Sequence, residues 1–191
     1  MLADLVLPIS YSPRTWQHHH NLRTYKGAAR SEQARRNLLA LLLFFLRDHL
    51  ACVAARTGAR PTHVITVPST RNSISTHPLT ELVGNRLGLP WIASTVNPSY
   101  GPDDHDFHAD WFAPALPAAS APVHALVLED TWTTGARVQS LAYALKAAGA
   151  TTVAAIILGR HVDPTYPPAK RLMDAIASPL FDTTRCATDA G

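Results

Sequence analysis

Two cysteines in 191 residues leave no disulfide scaffold. Cys52 and Cys186 also stand too far apart in sequence for a zinc-ribbon spacing, so both read as reduced thiols. Charge is scarce, with Asp, Glu, Lys and Arg making up 16% of the chain. Glycine is outnumbered by proline, nine to fifteen, which points to many stiff connections. No apolar run approaches the roughly twenty residues that a membrane span needs. The strongest, residues 38–46, lies between Arg36 and Arg47 and reads as a buried helix of a soluble protein. Residues 1–10 carry Asp4 and no preceding positive side chain, so they do not read as a signal peptide, and the expected location is cytoplasmic. The glycine-rich dinucleotide fingerprint and the Walker loop are both missing.

What remains is enough for one well-filled domain: 47% hydrophobic residues and a mean hydropathy near zero, which excludes wholesale disorder. The net charge of +3 hides an asymmetry. Residues 1–60 carry nine Lys/Arg against three Asp/Glu, a balance of +6, and the remainder eight against eleven, or −3. A solvated helix face explains the basic front; an anionic ligand, a contact within a homodimer or a nucleic-acid face are the alternatives.

Ser31 can cap a helix running to about Arg56, closed by Thr57-Gly58. Its middle is apolar nearly all round, implying burial on several sides. Residues 62–67 and 91–96 read as strands and 77–87 as a helix stopped by Gly88. Residues 97–122 hold five prolines and no periodicity, the mark of a long loop, and such loops tend to be lids or binding loops. Residues 123–128 and 153–158 are buried-strand runs. Residues 134–148 form a helix ended by Gly149, and 167–177 a last one, with a tail from Phe181 expected to fray. Alternating strands and helices predict an α/β fold, a mostly parallel sheet with helices on both faces. Ligands of such sheets sit beyond the carboxyl ends of the strands.

At the end of the 123–128 strand stand Glu129-Asp130-Thr131-Trp132-Thr133-Thr134-Gly135, then a helix. A hydroxyl-rich turn whose glycine permits close backbone approach, opening on a helix N-terminus, suits a phosphate monoester. Two acids in front of it would repel phosphate. They fit sugar hydroxyls on the same ligand, or a cation bridging to them, and a phosphorylated ribose satisfies the whole arrangement. Asp103, Asp104, His105, Asp106, His108 and Asp110 crowd into eight residues of the long loop, where a divalent metal is one reading. His18-His19-His20 reads as a surface turn, with metal or phosphate contact as the alternative.

The stretch Ala125-Leu-Val-Leu-Glu-Asp-Thr-Trp-Thr-Thr-Gly-Ala136 resembles the signature with which type I phosphoribosyltransferases bind phosphoribosyl pyrophosphate (PRPP). Leu145-Lys-Ala-Ala-Gly-Ala150 before a strand is similar to the family too. Thr24-Tyr-Lys-Gly27 and Val64-Ile-Thr-Val-Pro68 ahead of Arg71 resemble its competence protein F-like subgroup. The likeness spans about residues 22–160. It implies a Rossmann-like core at 61–160 in a single domain, with a small variable hood from about 1–60 and a C-terminal extension at 161–191.

The resemblance also implies an activity: PRPP- and Mg²⁺-dependent transfer of phosphoribose to a nitrogen acceptor such as a nucleobase, with release of pyrophosphate. A PRPP-sensing regulator associated with nucleic acid is the alternative. Glu129 and Asp130 would grip the ribose hydroxyls and serve catalysis, touching Mg²⁺ only through PRPP. Thr131, Trp132, Thr133, Thr134, Gly135, Ala136 and Arg137 would wrap the 5′-phosphate. Ser69, Thr70 and Arg71 would take pyrophosphate, next to a non-proline cis peptide near Ser69-Thr70. The acidic loop would be a lid. Two side chains keep open readings: Arg137 adds a cation or points outward, and Trp132 packs in the core or stacks on a substrate ring.

Overall fold

A computed structural model describes residues 1–26, 29–69, 77–118, 121–177, 186 and 188. It is an α/β fold with a mostly parallel sheet flanked by helices. The order of elements is β1 (Leu5–Pro8), β2 (Tyr11–Pro13), α1 (Gln17–Thr24), α2 (Glu32–Thr57), β3 (His63–Thr66), α3 (Pro78–Val83), β4 (Ala93–Val96), β5 (Phe112–Ala115), β6 (His124–Trp132), α4 (Ala136–Ala147) and β7 (Thr152–Val162). A 3₁₀ turn (Pro167–Ala169) and α5 (Lys170–Ala177) follow. In the main sheet β1, β7, β6 and β3 lie side by side, and β2 continues the β1 edge along β7, all pairs parallel.

The near-continuous apolar runs of β6 and β7 serve two cores at once, because neighbouring side chains on a strand leave by opposite faces. Leu126, Leu128, Ala154, Ile156 and Leu158 join the cluster under α1, α2 and α3. Ala125, Val127, Val153, Ala155 and Ile157 join the cluster under α4, with Trp111 and Phe112 of the β4–β5 side. Full burial of each large aliphatic side chain contributes roughly 1.5–3 kcal/mol.

α2 begins and ends where the sequence says. The Ser31 hydroxyl accepts from the Ala34 amide, and Gly58 closes the helix at φ +78°, a left-handed position that suits glycine. Burial on several sides is not what its middle shows. Leu38, Leu42, Phe45, Leu46, His49 and Val53 line one stripe toward the sheet, while Phe44 on the outer face is 51% exposed. By length and composition α2 could cross a membrane, the one such helix among the described residues. Its inward stripe is spent on the sheet.

Four further readings are corrected. The 97–122 segment is not all loop, since β5 pairs antiparallel with β4 in a separate two-stranded sheet. The helix after His77 stops at Val83, because the chain turns at Gly84 with φ +54°. His18, His19 and His20 lie in α1 and not in a surface turn. His18 Nε2 is 2.8 Å from the Leu158 carbonyl oxygen, and His19 Nδ1 is 3.2 Å from the Ser12 hydroxyl. Finally, β6 and β7 run on past residues 128 and 158, which moves the acid pair into the sheet. The tail from Phe181 lies outside the described residues except for Cys186 and Thr188.

Candidate functional site

β6 stays paired with β7 through Glu129↔Ile157, Thr131↔Gly159 and Trp132↔Arg160. Glu129 and Asp130 are therefore inside a pleated strand that ends at Trp132, not members of a loop, and strand alternation sends them to opposite faces. Asp130 follows the parity of Leu126 and Leu128 toward α1. There its Oδ2 accepts from the Tyr25 hydroxyl at 2.5 Å and from the Lys26 ammonium at 2.6 Å. Asp130 is 4% exposed and Tyr25 fully buried, whereas the Lys26 side chain remains 42% exposed.

Burial alone would raise the Asp130 carboxyl. The Lys26 charge, with the hydrogen bonds from Lys26 and Tyr25, outweighs it and holds the group below the ordinary carboxylate range. Burial and then the Asp130 charge push the Tyr25 phenol upward, so it stays a donor. Glu129 turns back on its own backbone, Oε1 accepting from the Asp130 amide at 3.2 Å and, more distantly, from the Thr131 amide at 3.4 Å. Burial first, and then the neighbouring Asp130 charge, raise its carboxyl well above the usual range. The surroundings thus push the two acids in opposite directions, Asp130 downward through its pairing and Glu129 upward through burial and its neighbour's charge.

A stability consequence follows for Glu129. A carboxyl whose folded pKa is raised destabilises the fold as pH rises through that value and not as it falls. Glu129→Gln should therefore raise the melting temperature at pH 7 and flatten the decline in stability above the ordinary carboxyl range. Melting curves from pH 4 to 8 measure this; an unchanged slope would remove the buried-charge account.

The turn after β6 has the expected form. Thr133 and Thr134 are exposed, and Gly135 caps α4 at φ +84° with no side-chain cap bond, which leaves the first turn of a twelve-residue helix facing the turn. A Cβ on Gly135 would overlap the Trp132 indole. That indole is half-buried and packs on the α4-side core, in line with the packing reading. Arg137 turns toward the acidic loop. Its guanidinium donates to the Pro102 carbonyl and lies over the Trp111 ring, 5.7 Å from the centroid.

That bond belongs to a wider docking of the acidic loop on the start of α4. Thr134 Oγ1 donates to the His105 carbonyl at 3.2 Å, and the His108 amide donates to Ser140 Oγ at 3.0 Å. Within the loop, Asp104 pairs with His108 Nε2 at 2.9 Å, and Asp110 accepts from Tyr100 at 2.6 Å and from Asn97 at 3.2 Å. The His108 ring stacks on Tyr100. Asp103, His105 and Asp106 stay exposed. Among the described residues these acids and histidines form no group of three converging donors, so the metal reading of this loop finds no support there. The loop does lie against the 131–137 turn, where a lid would be.

Ser69 follows the end of β3, and β3 is the parallel neighbour of β6, with the Val67 amide bonded to the Leu128 carbonyl. The two expected anion turns therefore leave adjacent strands at the same edge. Thr70 and Arg71, and with them the Ser69-Thr70 peptide, lie outside the described residues.

Three side chains at this edge went unassigned in the sequence reading. Tyr25 and Lys26 engage Asp130, and His77 faces it from the N-cap of α3, where Nδ1 accepts from the Leu79 amide at 3.1 Å. Burial lowers the His77 pKa despite the nearby carboxylate, which keeps that nitrogen an acceptor. Tyr25 and Lys26 belong to the Thr24-Tyr-Lys-Gly27 stretch of the resemblance, and Lys26 to the basic front of the chain, but neither signal gives them a role at Asp130.

The fold and site define an α/β protein with a paired-acid strand end and a helix-capping hydroxyl turn. The chain matches no family model, no curated protein and no solved structure.

Proposed function

We propose that the chain binds PRPP and transfers its 5-phosphoribosyl group to a nitrogen acceptor, releasing pyrophosphate, on a type I phosphoribosyltransferase-like fold. One observation carries this reading: an acid pair near the end of a central parallel strand stands two residues ahead of a Thr-Thr-Gly turn that opens on the N-terminus of α4. Sugar hydroxyls suit the carboxylates, and a phosphate monoester suits the turn amides and the positive end of the helix dipole. Pyrophosphate would take the parallel turn at Ser69, Thr70 and Arg71.

In the transfer, the acceptor nitrogen forms a bond to the anomeric carbon as the bond to the pyrophosphate oxygen breaks, and the electron pair leaves with pyrophosphate. Asp130, held ionised, stabilises the positive charge that develops on the sugar, and the two turns fix the ends of the substrate. Glu129, biased toward its neutral form, can donate to one hydroxyl and accept from another. Mg²⁺ prefers carboxylate, hydroxyl and phosphate oxygens. Lys26 already occupies Asp130 Oδ2, so the ion suits PRPP's own oxygens, with the acids acting through the sugar. When bound it would neutralise the pyrophosphate. No carboxylate stands at Thr133, where some purine-specific relatives carry the acid that handles the base, which disfavours an acceptor recognised in that way.

A second reading rests on the same Lys26 contact. A sugar hydroxyl must compete with an ammonium 2.6 Å from Asp130, which suits a cytoplasmic PRPP sensor, with the +6 front segment meeting nucleic acid, as well as it suits an enzyme. Calorimetry with PRPP and Mg²⁺, paired with pyrophosphate release over a panel of nitrogen bases, distinguishes the two. Binding with release supports transfer. Binding without release, together with a PRPP-dependent affinity for nucleic acid, supports the sensor. Absence of PRPP binding removes both.

A further inference from the structure

The two cysteines, 134 positions apart in sequence, meet in the fold. Cys186 lies against the second half of α2, where Cys52 and His49 stand three residues apart on one helix face. The ligand atoms of His49, Cys52 and Cys186 all lie within 4.8 Å of one another, and no disulfide joins the two sulfurs. His49 and Cys186 are buried and Cys52 is half-buried. Thr188 adds a second layer, its hydroxyl donating to Cys186 Sγ at 3.0 Å and its amide lying 3.5 Å from the same sulfur. Donors aimed at a sulfur favour the thiolate and orient it as a ligand.

We propose that His49, Cys52 and Cys186 form a site for a thiophilic transition-metal ion of the Zn²⁺ class, which fastens the C-terminal segment to α2. One imidazole and two thiolates are the donor set of a tetrahedral zinc centre and not of Mg²⁺, which takes oxygen. Binding deprotonates both thiols and releases two protons, so the ion meets two negative sulfurs and a neutral ring. The half-exposed side at Cys52 leaves the fourth position to water or an exogenous ligand. The site shares no residue with the 129–137 turn. His49 stands eighteen residues along α2 from Ser31, roughly 27 Å at 1.5 Å per residue, so metal binding here can stand or fall independently of the PRPP reading.

The test uses the full chain, reduced and stripped with a chelator, titrated with Zn²⁺ against a chromophoric chelator and with Co²⁺ as a spectroscopic probe. One equivalent should bind, with a thiolate-to-cobalt charge-transfer band and tetrahedral ligand-field bands. Cys52→Ser, Cys186→Ser and His49→Gln should each weaken binding by more than about tenfold. A readout that needs no variant guards against misfolded ones: bound Zn²⁺ should protect both thiols of the native chain from alkylation. Three results would overturn the proposal. These are a reduced wild-type chain that binds neither ion, metal binding that leaves both cysteines equally open to alkylation, and a chain that ignores metal but closes a Cys52–Cys186 disulfide in air.

Discussion

Asp130→Asn should weaken PRPP binding, or lower turnover, by about tenfold or more, the effect of losing a charged hydrogen-bond acceptor worth roughly 1.5–3 kcal/mol. The same change should cost the apo-protein about 1–3 kcal/mol of stability. That is less than a fully buried ion pair would lose, because the Lys26 side chain is 42% exposed and can turn to water, while the amide oxygen can still accept from Tyr25. The pH dependence gives a sharper signature. A carboxylate held below its ordinary value stabilises the fold above the unfolded pKa of about 4, and that contribution is lost as pH falls through the lower folded value. Urea unfolding of both proteins between pH 3 and 7 should therefore show the difference shrinking toward the acid end. A variant that binds PRPP like the wild type removes Asp130 from the sugar; a stability difference that is flat with pH removes the Lys26 and Tyr25 account.

Gly135→Ala is the second large effect. Its φ of +84° costs a side-chain-bearing residue roughly 1–2 kcal/mol. The new methyl group also overlaps the Trp132 indole, and overpacking of that kind adds about 1–3 kcal/mol. PRPP binding should fall with it, because the turn must open to make room. Trp132→Leu in the Gly135→Ala background should recover the packing part and leave the backbone part. The two changes should therefore be strongly non-additive in thermal unfolding. Additive losses would mean that the ring and the glycine are not in contact.

What the sequence made legible was whatever rests on long runs and strong punctuation. The β6–turn–α4 unit is readable because an unbroken apolar run meets Thr-Thr-Gly, and α2 because Ser31 and Gly58 bracket it. Elements carried by tertiary pairing escaped. β1 and β2 are four and three residues long and end in Pro8 and Pro13, and they exist because β7 offers them an edge. β5 contains Pro114, which normally argues against a strand; in a two-stranded ribbon off the main sheet the missing amide is tolerated. α1 has no apolar periodicity in Gln-His-His-His and is held by docking on α2, β2 and β7.

At the candidate site the residue types were readable and their surroundings were not. The acids are expected just past a strand, whereas three further strand pairings set them on opposite faces, in surroundings that shift their carboxyls in opposite directions. Lys26, Tyr25 and His77 reach that edge from α1 and α3, and no spacing along the chain announces such a meeting. The same holds for Cys52 and Cys186.

The pairing of β1 with β7 bears on how the chain is made. Leu5 lies beside Ala154 and Pro8 beside Ile157, so β1 leaves a ribosome with no partner until β7, 149 positions further on (154 − 5), has followed. Contacts this distant in sequence slow folding, because the intervening chain must be closed before they form. Meanwhile the inward stripe of α2 waits without its sheet, exposing greasy surface during translation, the interval in which chaperone capture or aggregation competes with completion.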